Sequence, residues 1–118
     1  MWIEVTIERC DVRGAKRGWC SNCPAARCLN RHLDPMWRAF VVFTGWIKNE
    51  MEISVIGTSK LTEDGGFDIK DTEILLKAPA DLAEYVIKYD KSKTGRPPKP
   101  ITFKINIPKK YLRKEVAA

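Results

Sequence analysis

The chain has 118 residues, of which 44% are hydrophobic and 31% are charged. This length predicts one domain with its own core, and the composition excludes wholesale disorder. No apolar run approaches the roughly 18–20 residues of a membrane span, and the N-terminus lacks the basic-then-apolar order of a signal peptide. We therefore expect a cytoplasmic protein with no membrane partner. Its four cysteines favour free or metal-bound thiols over disulfides.

The net charge of +6 is unevenly distributed along the chain. Residues 9–38 contain seven Lys or Arg against two acids, and residues 91–118 contain nine against one. Residues 39–90 contain only five against ten acids, so that two basic segments enclose an acidic middle. This distribution favours an anionic partner, of which nucleic acid is the first candidate. A solvated, solubilising surface explains the same charges equally well.

The N-terminal third is predicted to form a strand, a loop and a helix. Residues 2–8 alternate between apolar and polar side chains, as in a half-buried strand. Residues 9–19 contain two glycines and four basic residues, which predict an exposed irregular loop. Pro24 suits the first helical position, where its missing N–H would be unpaired anyway, and this makes Cys23 the cap. A helix is therefore predicted over residues 24–33.

The rest of the chain is predicted to form four more strands and one more helix. Residues 36–77 read as a three-stranded antiparallel meander with an acidic exposed face, and the Asp64-Gly65-Gly66 sequence favours a hairpin within it. Pro79 opens a second helix, whose apolar stripe is formed by Leu82, Tyr85, Val86 and Tyr89. Residues 101–107 are apolar at every odd position and predict the last strand.

The predicted fold class is therefore α+β, in the order β-α-β-β-β-α-β, with two helices packed on one mostly antiparallel sheet. The single domain is predicted to cover residues 1–108. Residues 109–118 are predicted to form a basic C-terminal tail that frays or forms a short helix.

Three of the four cysteines and the single histidine fall within residues 19–32. Cys28 and His32 are four residues apart on one side of the predicted helix, and the preceding loop could close a site around them. Four soft or borderline ligands are the number that a tetrahedral structural zinc requires. The candidate metal ligands are Cys20, Cys23, Cys28 and His32.

Two other interpretations of this stretch remain open. Trp-Cys-x-x-Cys resembles the thioredoxin active site, which would make Cys20 and Cys23 a thiol redox pair. Alternatively, Cys28 and His32 are ordinary packed residues of the helix stripe that also contains Ala25 and Leu29.

Residues 93–100 resemble an AT-hook, whose core is Arg-Gly-Arg-Pro, with Thr94 in place of the first arginine. Such an extended segment fits the narrow minor groove of A·T-rich DNA. The other interpretation is a rigid connector, which the three prolines of this segment favour. If nucleic acid is the partner, the expected contacts are Arg13, Lys16, Arg17, Lys93, Arg96, Lys99, Lys109 and Lys110.

Two motifs together resemble small uncharacterised proteins of bacteriophages and prophages. These pair a Cys-Pro-x-Ala helix start, here residues 23–26, with a Gly-Arg-Pro-x-x-Pro-Phe-x-Phe ending, here residues 95–103. This chain departs from the pattern by Ile101 in place of an aromatic residue, and by the additional Cys20 and Cys28. The resemblance implies a phage context in the host cytoplasm and carries no activity with it.

No pair of carboxylates, Ser/His/Asp set or phosphate-binding glycine loop stands out, so we expect no enzymatic activity. The leading hypothesis is a small phage-type accessory protein that binds nucleic acid through residues 9–17 and 91–110. The alternative is a protein-interaction module, such as an inhibitor of a host enzyme, which would use the acidic face of the meander. The thiol redox protein is the third hypothesis.

Overall fold

The structure is a computed structural model that describes residues 1–13, 23–45, 50–91 and 99–117. Its five strands and two longer helices follow the predicted order, which confirms the α+β class. None of the helices in these ranges is long and apolar enough to cross a membrane. The elements are β1 (Trp2–Thr6), α1 (Arg9–Val12), α2 (Pro24–His32), β2 (Trp37–Gly45), β3 (Glu50–Gly57), β4 (Ile74–Lys77), α3 (Ala80–Lys91), β5 (Thr102–Asn106) and α4 (Lys114–Ala117).

The strands form two antiparallel sheets, so the predicted single sheet is wrong. β1 and β5 pair as a two-stranded ribbon in which Ile3 lies opposite Ile105 and Val5 lies opposite Phe103. β2, β3 and β4 pair in sequence order, which confirms the predicted meander. The predicted turn between β2 and β3 includes residues 48 and 49, which lie outside the described residues.

Asn30 of α2 binds the outer edge of β2, which is an edge strand of the three-stranded sheet in the described part of the chain. The Ala39 N–H of β2 donates to Asn30 Oδ1 at 2.7 Å, and Asn30 Nδ2 donates to the Ala39 carbonyl at 3.3 Å. One carboxamide thus satisfies both backbone groups of Ala39, which an additional strand would otherwise use at this position. The same contact ties α2 to the edge of the sheet.

Asn30→Ala is expected to lower the free energy of unfolding by about 2 kcal/mol, because Ala39 is buried and would lose both partners. Urea denaturation of the variant measures this loss. The matched control is Asn106→Ala, which removes an exposed carboxamide that accepts from the N-terminal amine. We expect it to cost less than about 0.5 kcal/mol. Equal losses in the two variants would contradict the role of Asn30.

The main hydrophobic cluster combines residues of both sheets with α2 and α3. Cys23 is the N-cap of α2 and Pro24 its first residue, as predicted. The predicted stripe of α2 is confirmed at three of its four positions, since the fourth, His32, is only half-buried. All four predicted stripe residues of α3 are buried, namely Leu82, Tyr85, Val86 and Tyr89.

The connection between β3 and β4 covers the other face of the three-stranded sheet. Phe67 stacks on Phe40 of β2 with ring centroids 4.0 Å apart, and the Thr72 hydroxyl lies 2.7 Å from that of buried Ser54. Gly65 has a φ of 82° and allows a turn, but this turn lies within a long connection. The Asp64-Gly65-Gly66 turn therefore does not form the predicted hairpin. The last strand of the meander comprises only Ile74–Lys77, because residues 67–70 belong to a connection that packs over the sheet instead of pairing with it.

The segment predicted as a tail packs against the end of α2. Tyr111 and Leu112 are 3% and 4% exposed, and Leu112 forms a β-bridge with Leu33. The Asp34 N–H donates to the Tyr111 carbonyl at 2.9 Å, and the Arg113 N–H donates to the His32 carbonyl at 3.0 Å. A short helix follows, α4, which was one of the two predicted outcomes. Two apolar residues are enough to fold this basic segment onto the domain.

Candidate nucleic-acid interface

Four of the predicted nucleic-acid contacts lie in the described part of the chain, and all four are exposed: Arg13, Lys99, Lys109 and Lys110. Lys99 lines a cleft together with Asp81 and Glu84, two acids that would repel phosphate. Lys110 Nζ lies 3.5 Å from Glu73 and 4.9 Å from the centroid of the Tyr111 ring. The remaining four contacts lie outside the described residues: Lys16, Arg17, Lys93 and Arg96. The contribution of all eight stays a prediction.

The structure brings four other basic residues together around one open pocket of about 380 Å³. Arg27 and Arg31 extend from α2, Arg38 comes from β2, and Arg113 comes from the segment that packs against the end of α2. The other lining residues are Cys10, Asp11 and Asn30. With one carboxylate against four guanidinium groups, the lining has a net charge of +3. We call these residues the arginine pocket.

Arg31 is held in place by the buried carboxylate of Asp11. Arg31 Nε donates to Asp11 Oδ1 at 2.7 Å, and Arg31 Nη2 donates to Asp11 Oδ2 at 2.8 Å. Arg31 Nη2 also donates to the Thr6 carbonyl at 3.1 Å, which ties the guanidinium to the end of β1. This fork geometry is one of the strongest side-chain pairings in proteins. The Arg31 guanidinium is therefore held in a fixed position in the lining of the pocket.

Asp11 is 1% exposed, although it belongs to a segment predicted to be an exposed loop. Its Oδ2 accepts the Glu8 N–H at 2.7 Å and so caps the single turn α1. Burial alone would raise the pKa of Asp11, but the hydrogen bonds from Arg31 and Glu8 and the charge of Arg31 outweigh burial and lower it. Asp11 therefore stays ionised and neutralises Arg31.

The other three arginines line the same pocket as Arg31. Arg27 Nη2 donates to the Cys10 carbonyl at 3.2 Å. Arg38 is exposed. Its backbone position is fixed by the next residue, Ala39, whose N–H donates to Asn30 Oδ1. Arg113 Nε is buried and has no hydrogen-bond partner among the described residues. Asp11 is already paired with Arg31, so its carboxylate does not offset the positive charges that Arg38 and Arg113 bring to the lining.

Sequence reasoning missed these four arginines because it looked for basic residues in loops. All four fall within the two basic segments of the charge analysis, and Arg27 and Arg31 have the four-residue spacing of one helix face. That spacing is the sequence feature that indicates that Arg27 and Arg31 lie close together. Nothing in the sequence indicates that Arg38 and Arg113 reach the same place, since they are 75 positions apart.

The three candidate zinc ligands that the structure describes, Cys23, Cys28 and His32, make hydrogen-bond contacts with the backbone. The Cys23 thiol accepts the Ala26 N–H at 3.4 Å, and His32 Nδ1 lies 2.9 Å from the Cys28 carbonyl. Cys28 is fully buried and donates to the Thr6 carbonyl at 3.3 Å. Its burial, together with the charge of Asp11, raises the pKa of Cys28 to about 12, which disfavours the thiolate that a metal binds.

These contacts favour the interpretation of Cys28 and His32 as packed helix residues. Within the described ranges, no three His, Cys, Asp or Glu side chains form a group that could hold a metal ion. Cys20, which both the zinc and the redox hypotheses require, lies outside them. The zinc site and the redox pair therefore stay predictions.

Comparison with known proteins adds no functional assignment. No family model matches the chain, and no curated protein and no solved structure matches it. The resemblance to phage proteins accordingly stays a prediction, and the function has to be argued from the chemistry of the arginine pocket.

Proposed function

We propose that this protein acts by binding nucleic acid, rather than as an enzyme, and that the arginine pocket holds a phosphate of the bound strand. The observation that carries the proposal is the convergence of four guanidinium groups around one carboxylate. Arginine forms paired hydrogen bonds to phosphate oxygens that a lysine ammonium cannot reproduce. All four basic residues of the described lining are arginines, and this is the chemistry of phosphate recognition.

The position of the pocket supports nucleic acid as the source of that phosphate. Cys10 and Asp11 belong to the first basic segment of the chain, and Arg113 belongs to the second. Exposed Arg13 follows Asp11 by only a few positions in the sequence, and exposed Lys109 precedes Arg113 by only a few. Both basic segments therefore reach the pocket, and further phosphates of the same strand would meet additional positive charge around it.

The proposal is tested by fluorescence anisotropy with a labelled single-stranded oligonucleotide, titrated at several salt concentrations. We expect the affinity to fall linearly with the logarithm of the salt concentration, because each phosphate contact releases counterions. Arg38→Gln is expected to weaken binding by about tenfold, since it removes charged hydrogen bonds to phosphate. The matched control, Lys77→Gln, removes one charge from exposed β4 at the opposite edge of the same sheet.

The control variant should bind within about twofold of the unmodified protein, because Lys77 lies outside the arginine pocket. Absence of binding at low salt, or an affinity that does not change with salt, would refute the proposal. Equal effects of the two substitutions would show that binding depends on overall charge and not on the pocket.

A further inference from the structure

The arginine pocket is open to solvent and has a volume of about 380 Å³, near the lower end of the roughly 300–1,000 Å³ of small-molecule sites. Because the pocket is open, a phosphate bound in it leaves the rest of its strand outside, on the surrounding surface.

The charge of the pocket distinguishes between two kinds of phosphate. A phosphodiester within a strand carries one negative charge, whereas a phosphomonoester carries about −1.5 to −2 at neutral pH and offers three acceptor oxygens. Asp11 neutralises Arg31, while Arg38 and Arg113 add two positive charges to the lining. A dianion with three acceptor oxygens balances this concentration of charge better than a single diester.

Arg113 provides a second, independent observation. Its Nε is buried without a partner among the described residues, while its own backbone N–H is fixed to the His32 carbonyl. A buried donor without an acceptor is unfavourable, and such groups in native proteins call for an explanation. A small reorientation of this side chain on ligand binding would turn the donor towards a phosphate oxygen.

We propose that the arginine pocket binds the terminal phosphomonoester of a nucleic-acid strand, so that the protein recognises strand ends. This inference rests on the proposed nucleic-acid binding and specifies its substrate. Arg38 and Arg113 would contact the terminal phosphate, while Arg31 stays paired with Asp11. Cys10, an exposed thiol in the same lining, becomes a reporter of occupancy.

The test compares single-stranded oligonucleotides of one sequence that differ only at their ends: 5′-phosphorylated, 3′-phosphorylated, hydroxyl at both ends, and circular. We expect one of the phosphorylated forms to bind the unmodified protein about tenfold more tightly than the hydroxyl and circular forms, because only it supplies the extra charge and acceptor. Arg113→Gln should reduce this preference to less than about twofold, and Lys77→Gln should leave it intact.

A second readout uses no labelled ligand. The rate at which an alkylating reagent modifies Cys10, followed by peptide mass spectrometry, should fall several-fold with the preferred phosphorylated oligonucleotide and remain unchanged with the hydroxyl form. Mononucleotide and inorganic phosphate are included to find whether the phosphate alone is sufficient. Protection by either at the same concentration would overturn strand-end recognition in favour of a small-anion site.

The possible failures are distinguishable. If all oligonucleotides bind with equal affinity, the proposed function stands and recognition of strand ends is wrong. If none binds at low salt, the proposed function itself is wrong. A phosphoserine peptide that binds more tightly than every oligonucleotide would assign the pocket to a protein partner and overturn both.

Discussion

Asp11→Asn is expected to lower the free energy of unfolding by about 3 kcal/mol at neutral pH, because it leaves the Arg31 guanidinium without its buried counter-charge. We take the lower end of the range for broken buried pairs, since the Arg31 side chain is 37% exposed and water partly compensates. Urea denaturation measures the loss.

The control for this substitution is Glu8→Gln, which removes a carboxylate from the same guanidinium. Glu8 Oε2 lies 3.9 Å from Arg31 Nη1, and its side chain is 58% exposed. We expect it to cost less than about 1 kcal/mol, as exposed ion pairs do. If both variants lose the same stability, the buried position of Asp11 is not what makes its charge important.

The pH dependence of stability provides a separate check on Asp11. Its pKa in the folded protein lies below the ordinary value of 3.8, so the ionised form stabilises the fold. This contribution is fully present above the ordinary pKa and is lost as pH falls through the lowered one. The unmodified protein should therefore lose stability below about pH 4 more steeply than Asp11→Asn, and the two curves should approach each other. Parallel curves would contradict the lowered pKa.

Ending the chain after Pro108 is expected to destabilise the protein by more than about 3 kcal/mol, because Tyr111 and Leu112 are both almost fully buried. The truncation also removes the backbone hydrogen bonds that Asp34 and His32 make with this segment. Thermal and urea denaturation measure the effect. Binding of oligonucleotides should fall as well, because Arg113 is lost from the pocket.

The matched control ends the chain after Arg113 and removes only residues 114–118, which include α4. It keeps Tyr111, Leu112 and the arginine, so we expect a loss below about 1.5 kcal/mol from half-buried Val116. If the chain that ends at Pro108 were as stable as this control, the segment would be a tail, as its composition suggests.

The sequence by itself determined the α+β class, the order of the main elements and the start of α2. These features depend on local chemistry: alternation in residues 2–8, helical spacing in the stripes of α2 and α3, and the fixed φ and missing N–H of Pro24. Such signals act over a few neighbouring residues and are readable without knowledge of the rest of the fold.

Only the tertiary structure decided the separation into two sheets, the packing of residues 109–116 and the assembly of the arginine pocket. Each depends on partners far apart in the chain: β1 pairs with β5, Leu112 with Leu33, and Arg113 lines one pocket with the arginines of α2. Charge counts identify the basic segments of the sequence, but they do not show which of these charges lie close together in the fold. The burial of Asp11 and of Tyr111 determined which of those charges face one another.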